Sequence, residues 1–335
     1  MSEKYIPWPS DTTPGKGWSY YHHRPARGYY EQHNYSAAFN IASYLVNTWN
    51  KAYGMCLLGV MYANGEGVAQ DYGKAAQWFT KAALQGDPLG QFNLGVMHKN
   101  GDNVPQDYVT ALGWFTAAQQ GTGWAEAEFQ IGVIYQQGGF GVIQDYQKAA
   151  QWLTRAAKQG HTKALEALVR IADEQNNADA QCNLGMMYEE GKGVAQDCGE
   201  AVKWYRRAAD QGSRHSQYCL GRMYEEGKSV AQDYGEAAQW LARAAEQKHA
   251  GAMTALDQIA DERKNADAQY NLGSMYRNGE GVAQDYGEAA QWFTRAAEEG
   301  HAHAQRNLAW MYQEGKGVPK DPVKAQMWYE RSQRA

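Results

Sequence analysis

Long apolar runs are missing from this chain of 335 residues, and the longest, near "YGMCLLGVMY", falls far short of the ~18 residues that a membrane-spanning helix needs. The opening "MSEKYIPWPSDTTPGKGW" holds no apolar segment ahead of a cleavage site, so no secretory leader and no membrane attachment are expected, and a cytoplasmic location is. Basic runs are missing too. With 32 Lys and Arg against 37 Asp and Glu, the formal charge is -5 and no track for phosphates exists, which argues against nucleic acid as a partner. Cysteine is scarce: Cys56, Cys182, Cys198 and Cys219 lie scattered without C-x-x-C spacing, which excludes both a zinc ribbon and a disulfide framework and fits buried thiols in a reducing compartment.

Catalytic signatures are equally absent. No G-x-S-x-G elbow, S-x-x-K pair or H-E-x-x-H helix occurs. The segment "GRMYEEGKS" at 221–229 imitates a phosphate-binding loop, but five residues separate Gly221 from Gly227 where four are required.

What the chain has instead is repetition. Seven segments align on "LGxMYxxGxGVxQDYxxAAxWxxxAAxxG", with the first leucine position at Leu58, Leu94, Ile131, Leu184, Leu220, Leu272 and Leu308, and a tryptophan in each copy (Trp78, Trp114, Trp152, Trp204, Trp240, Trp292, Trp328). The spacings of 36, 37, 53, 36, 52 and 36 residues are those of a solenoid. In "ADAQYNLGSMYRNG", Ala268, Leu272, Met275 and Tyr276 recur at three- and four-residue steps and share one face of a first helix. Gly273 sits inside that helix at a propensity cost of ~1 kcal/mol. Its repetition at Gly59, Gly95, Gly132, Gly185 and Gly221 implies that another helix comes close, and Ala309 alone breaks the column. In the loop, Gly279 is placed as a left-handed C-cap and Asp285 as the N-cap of a second helix, with Glu288 completing a capping box, as Glu200 and Glu236 do after Asp197 and Asp233. The tryptophans are expected to fill the space between neighbouring repeats.

These motifs, the L-G-x-x-Y helix, the G-x-G-V-x-x-D loop and the A-A-x-W-x-x-x-A-A-x-x-G helix, resemble the Sel-one-like repeat, a relative of the tetratricopeptide repeat, over nearly everything from residue 51 to 335. The resemblance implies an all-α, right-handed α-α superhelix whose concave surface binds a protein or peptide. It implies no catalysis, no cofactor and no metal. Members of that family serve as adaptors, as secreted host-interaction factors and as immunity proteins that neutralise bacterial toxins, and the last two roles remain alternatives for this chain. A further alternative is an enzyme with its site in the histidine-rich segment described next.

The expected organisation is one continuous solenoid: an N-terminal extension and degenerate capping repeat over 1–50, repeats over 51–160, 178–247 and 266–335, and single inserted helices at 161–177 and 249–265. The two insertions, "HTKALEALVRIADEQNN" and "HAGAMTALDQIADERKN", resemble one another across a duplication of 88 residues. The stretch "WSYYHHRPARGYYEQHNY" at 18–35 is dense enough in histidine and aromatics to be a site. Set beneath the second repeat, however, Gly28 falls under Gly101, Asn34 under Asp107 and Tyr35 under Tyr108, which reads as the loop of a capping repeat. His22 and His23 are adjacent, would point apart on a helix, and lack a third ligand at a metal-binding spacing.

Columns that vary between repeats are free to recognise a partner. Positions -5, -2, +2 and +5 from the leucine form one stripe of the first helix: Leu89/Phe92/Val96/Lys99 and Glu126/Phe129/Val133/Gln136 early, then His215/Tyr218/Arg222/Glu225, Asp267/Tyr270/Ser274/Arg277 and His303/Arg306/Trp310/Gln313. From these, Phe92, Phe129, Tyr218, Arg222, Tyr270, Arg277, Arg306 and Trp310 are the candidate partner-binding residues, since aromatics and arginine anchor most interfaces. Packing of Phe92, Phe129 and Tyr270 against a second helix is the competing reading.

Overall fold

The computed structural model describes residues 25–120 and 122–334, and among them every regular element is an α-helix, apart from one isolated bridge between Gly139 and Val142. The chain forms two compact units, Met1–Gln175 and Asn176–Ala335. In the first, helices pair as α1 (Pro25–Glu31) with α2 (Tyr35–Trp49), α3 (Ala52–Asn64) with α4 (Tyr72–Leu84), α5 (Pro88–Asn100) with α6 (Tyr108–Gln119), and α7 (Ala125–Gln137) with α8 (Tyr146–Lys158). The single helix α9 (Thr162–Glu174) packs on α8. In the second, the pairs are α10 (Ala178–Glu190) with α11 (Cys198–Asp210), α12 (Arg214–Glu226) with α13 (Tyr234–Glu246), α15 (Ala266–Asn278) with α16 (Tyr286–Glu298), and α17 (Ala302–Glu314) with α18 (Pro322–Ser332). The single helix α14 (Ala252–Glu262) touches both α13 and α15, which also meet directly. Within each unit the pairs stack in series.

The loops fold as their polar residues dictate, with one difference from the sequence reading. Gly279 takes the left-handed conformation, φ 75°, and its N–H caps the Met275 carbonyl. Asp285 accepts the N–H groups of Gly287 and Glu288 and so caps α16. The reciprocal half of a capping box does not form, because the Asp285 N–H donates to the Tyr276 carbonyl at 2.9 Å. The same bond joins Asp197 to Tyr188 and Asp233 to Tyr224. Glu200, Glu236 and Glu288 are released for other partners: Lys203, the Trp240 indole and Gln291. The loop glutamine completes the closure, Gln284 donating to the Arg277 carbonyl at 2.8 Å as Gln232 does to Glu225.

The glycine column marks the close approach of paired helices. A Cβ on Gly273 would stand 2.7 Å from the Phe293 ring, and on Gly59, Gly95, Gly132, Gly185 and Gly221 it would meet Phe79, Phe115, Leu153, Tyr205 and Leu241 as closely. Each of these partners directly follows the repeat tryptophan. They are fully buried, whereas most of the tryptophans are half-buried, so the space between paired helices is filled by the residue after the tryptophan. One helical position, about 100°, separates the two. The indole instead flanks the pair beneath a cation three residues on, as with Arg295 over Trp292 at 4.5 Å and Arg243 over Trp240 at 4.7 Å.

At the start of the described chain, Asn34 caps α2 by accepting the Ala37 N–H, the role that Asp107 plays for α6. Gly28 does not match Gly101: it lies inside α1, while Gly101 is a left-handed C-cap. The connection is cut to three residues, with His33 at φ 59° and its Nδ1 bonded to the Tyr35 hydroxyl at 2.8 Å. His22 and His23 lie outside the described residues.

Candidate partner-binding face

The stripe on the first helices divides into two functions. At -2, each aromatic is covered on one face by a ring at the start of a later helix: Trp124 before α7, His161 before the single helix α9, His249 before the single helix α14, and His301 before α17. Phe92 lies 4.4 Å from Trp124, Phe129 4.5 Å from His161, Tyr218 4.3 Å from His249 and Tyr270 4.5 Å from His301. Phe92 is buried and also meets Phe115 of α6, so it belongs to the core and is withdrawn from the face. Phe129, Tyr218 and Tyr270 are half-buried and keep one side open.

The residues at -5 lock the covering ring. His161 and His301 accept the N–H of Ala164 and Ala304 through Nδ1 at 3.1 Å, which leaves their Nε2–H to donate to Glu126 at 3.0 Å and to Asp267 at 3.2 Å. Hydrogen bonding on both nitrogens fixes the tautomer. His249 repeats the scheme with weaker contacts, to Gly251 N and to His215 Nδ1, both at 3.4 Å. Burial pushes the pKa of His249 down, with His215 and Arg214 adding to the effect, and burial lowers that of His301 against the opposing pull of Asp267. Glu126 is held below the usual carboxylate range: burial alone would raise it, and the hydrogen bonds from His161 and Gln130 overcome that.

At +2 and +5 in the second unit, Arg222, Arg277, Trp310 and Gln313 reach the surface, whereas the Ser274 hydroxyl is buried. Arg222 is neutralised locally by Glu225 at 2.9 Å and Glu226 at 2.7 Å. Arg277 is oriented by neutral groups, the Oδ1 atoms of Asn278 at 3.0 Å and Asn307 at 2.9 Å. Arg306 occupies the -2 position of α17 and is exposed, as is Trp310, with 42% of its surface open. Trp310 stands between two clefts. One, of about 600 Å³, is lined by Arg277, Asn278, Gln284, Tyr286 and Asn307; the other, of about 720 Å³, by Arg306, Ala309, Gln313, Lys320 and Tyr329, among others.

The larger cleft has a cause in the sequence. Where six repeats have glycine, this one has Ala309, whose methyl occupies the space that the ring after the tryptophan would need. Tyr329, the counterpart of the fully buried Phe293, is 52% exposed and lines the opening. Sequence reasoning noted the break at Ala309 but missed Tyr329 and Lys320 as parts of the site. The signal was there in the one pairing of alanine with a tyrosine at those two columns.

Among the described residues no group of three or more His, Cys, Asp or Glu side chains is gathered in the manner of a metal site. Burial pushes the Cys219 thiol up to about 12, which makes it a poor nucleophile. None of the described helices is long and apolar enough to cross a membrane.

A family model described as "Sel1 repeat" matches residues 52–87, 88–119, 125–161, 178–213, 214–249, 266–301 and 302–332. The chain is similar to chitin synthase regulatory factor 3 of Schizosaccharomyces pombe, at 28% identity over 181 residues, 46% of this chain and 19% of that protein. It therefore spans less than a fifth of that relative's length. Among solved structures it is similar to a Sel1 repeat protein from Oxalobacter formigenes, at 29% identity over 82% of this chain and 98% of that one, TM-score 0.38. It is also similar to a protective antigen present in uropathogenic Escherichia coli strains, at 29% identity over 84% and 76% of the two chains, TM-score 0.34.

Proposed function

The chain belongs to the Sel1 repeat family, and from that premise we propose that it is a non-catalytic scaffold that holds a protein or peptide partner on the exposed first-helix residues of its second unit. The observation that carries this reading is Trp310. A tryptophan left 42% open on a helix whose Leu308 and Met311 are buried represents a standing cost in water, and its flanking clefts offer a partner both apolar surface and arginine. Arg222, Tyr218 and Tyr270 extend the same stripe along α12 and α15. The polar residues that could have signalled chemistry have structural duties: His161 and His301 cap helices, His249 accepts the Gly251 N–H, and the Tyr205 hydroxyl donates to Glu189 at 2.8 Å.

A photo-crosslinking amino acid placed in turn at 222, 306 and 313, and at 203, 239 and 291 on second helices as a control, tests the proposal in native lysate. Capture of the same protein from the first set and not from the second supports it. Equal capture from both sets, or turnover of a small substrate without any captured protein, would overturn it.

A further inference from the structure

Charge separates the two arginine environments on the stripe. Arg222 has its counter-charges in place, whereas Arg277, Arg306 and Lys320 line clefts that contain no carboxylate. Glu280 bonds Asn278 at 3.2 Å from outside that lining. Among the described residues no hydrogen bond or ion pair engages the Arg306 or Lys320 head group. Three cations thus surround Trp310 in a chain whose formal charge is -5. The guanidinium of Arg277 is held by two carboxamide oxygens, which orient it without consuming its charge.

We infer that the paired clefts on either side of Trp310 take an extended acidic segment of a partner protein, with carboxylates meeting Arg277, Arg306 and Lys320 and an apolar side chain seated against Trp310 and Tyr329. This deepens the scaffold reading and rests on it. Carboxamides are the other polar side chains that recur in the lining: Asn278, Gln284 and Asn307 in one cleft, Gln313 and Gln326 in the other. Asn278 and Asn307 spend their Oδ1 atoms on Arg277. Asn278 Nδ2 is bonded to Glu280, Gln284 Nε2 to the Arg277 carbonyl and Gln326 Nε2 to Glu330. That leaves Gln313 as the carboxamide able both to donate to and to accept from an extended peptide backbone. A nucleic acid strand would instead call for a longer basic track than three cations in an acidic chain provide.

Fluorescence anisotropy on the full chain tests this with a terminally blocked, fluorescein-labelled nonapeptide, Ser-Glu-Glu-Leu-Asp-Glu-Tyr-Glu-Ser. The comparison probes are its Gln/Asn counterpart and a labelled oligouridylate of nine nucleotides. The acidic peptide should bind saturably, and the neutral peptide and the oligouridylate about tenfold or more weaker. Arg306→Glu, Lys320→Glu and Trp310→Ala should each weaken the acidic peptide by about tenfold, while Lys163→Glu in the other unit leaves it unchanged. No saturation, equal affinity for the neutral peptide, tighter binding of the oligouridylate, or indifference to the three variants would each overturn the inference. Crosslinking from lysate is read separately: a partner captured at 306 and 313 with the acidic peptide silent sinks the acidic segment and leaves the scaffold standing.

Discussion

Tyr270 and His301 lie face to face, their ring centroids 4.5 Å apart and their planes 19° from parallel. The imidazole does three things at once: it covers the tyrosine, caps α17 through Nδ1 and donates to Asp267 through Nε2. A proton on Nδ1 would break the cap, so the stack is built for the neutral ring.

That requirement gives stability a pH dependence. His249 and His301 have folded-state pKa values below their unfolded ones, so their contribution is whole above about pH 6.5 and is lost as the unfolded chain takes up protons at lower pH. The urea midpoint of the second unit should fall from pH 7.5 to 5.5. In His249→Asn/His301→Asn the same pH step should cost less, because asparagine caps the neighbouring α10 and α15 and does not titrate. An unchanged pH slope in the double variant would count against the stack as its source.

Glu128 works in the opposite direction. Burial raises its pKa to about 7, against the pull of Arg155 and the hydrogen bond from Gln159. A raised carboxyl pKa favours the fold while the group is protonated, and the penalty grows as pH climbs from the unfolded value of 4.5 through 7. Glu128→Gln should therefore stabilise the first unit by about 1–2 kcal/mol at pH 8 and by almost nothing at pH 4. Thermal melts at the two pH values decide it.

A glutamine pair recurs between neighbouring repeats, with Gln211 donating to Gln181 at 2.6 Å and Gln247 to Gln217 at 2.8 Å. The next pair is Glu299 with Gln269, and a carboxylate has nothing to donate; the buried Gln269 Oε1 has no hydrogen-bond partner. Glu299→Gln should supply the missing amide and raise stability by about 1 kcal/mol. A lower melting temperature in that variant would show that Glu299 serves another purpose.

Scaffold and face should separate under mutation. Phe293→Ala empties the space beneath Gly273 and should cost roughly 3–5 kcal/mol of stability. Trp310→Ala should leave the melting temperature nearly unchanged and weaken partner binding by on the order of 2 kcal/mol. If Trp310→Ala melts as early as Phe293→Ala while partner affinity survives, the exposed indole is structural and the face lies elsewhere.

Helix pairing, the left-handed glycines and the aspartate caps were legible in the sequence because each rests on residues within one repeat. The glycine column announced a close approach of another helix, but the ring that meets it, one step after the tryptophan, was not singled out, because both residues are large and the repeat pattern marks only the tryptophan. The stacking of the histidines was hidden, since Tyr270 and His301 stand 31 residues apart and no local pattern pairs them. Of the eight candidate face residues, Phe92 proved buried, and three aromatics proved half-committed to holding a later repeat. The neutralisation of Arg222 follows from Glu225 and Glu226 three and four residues on along one helix, whereas the carboxamide on Arg277 was hidden because Asn307 comes from the next repeat, 30 residues away.

The stack at -2 also acts as a standard coupling. Its two halves, an aromatic on one first helix and a ring at the start of a later helix, recur at nearly the same separation whether the covering residue is Trp124, His161, His249 or His301. Modules that share a fitting of this kind can be exchanged, inserted or duplicated by recombination without redesigning the seam. The 88-residue internal duplication runs from one such fitting to the next, so the history of the chain's growth is written in the geometry of its joints.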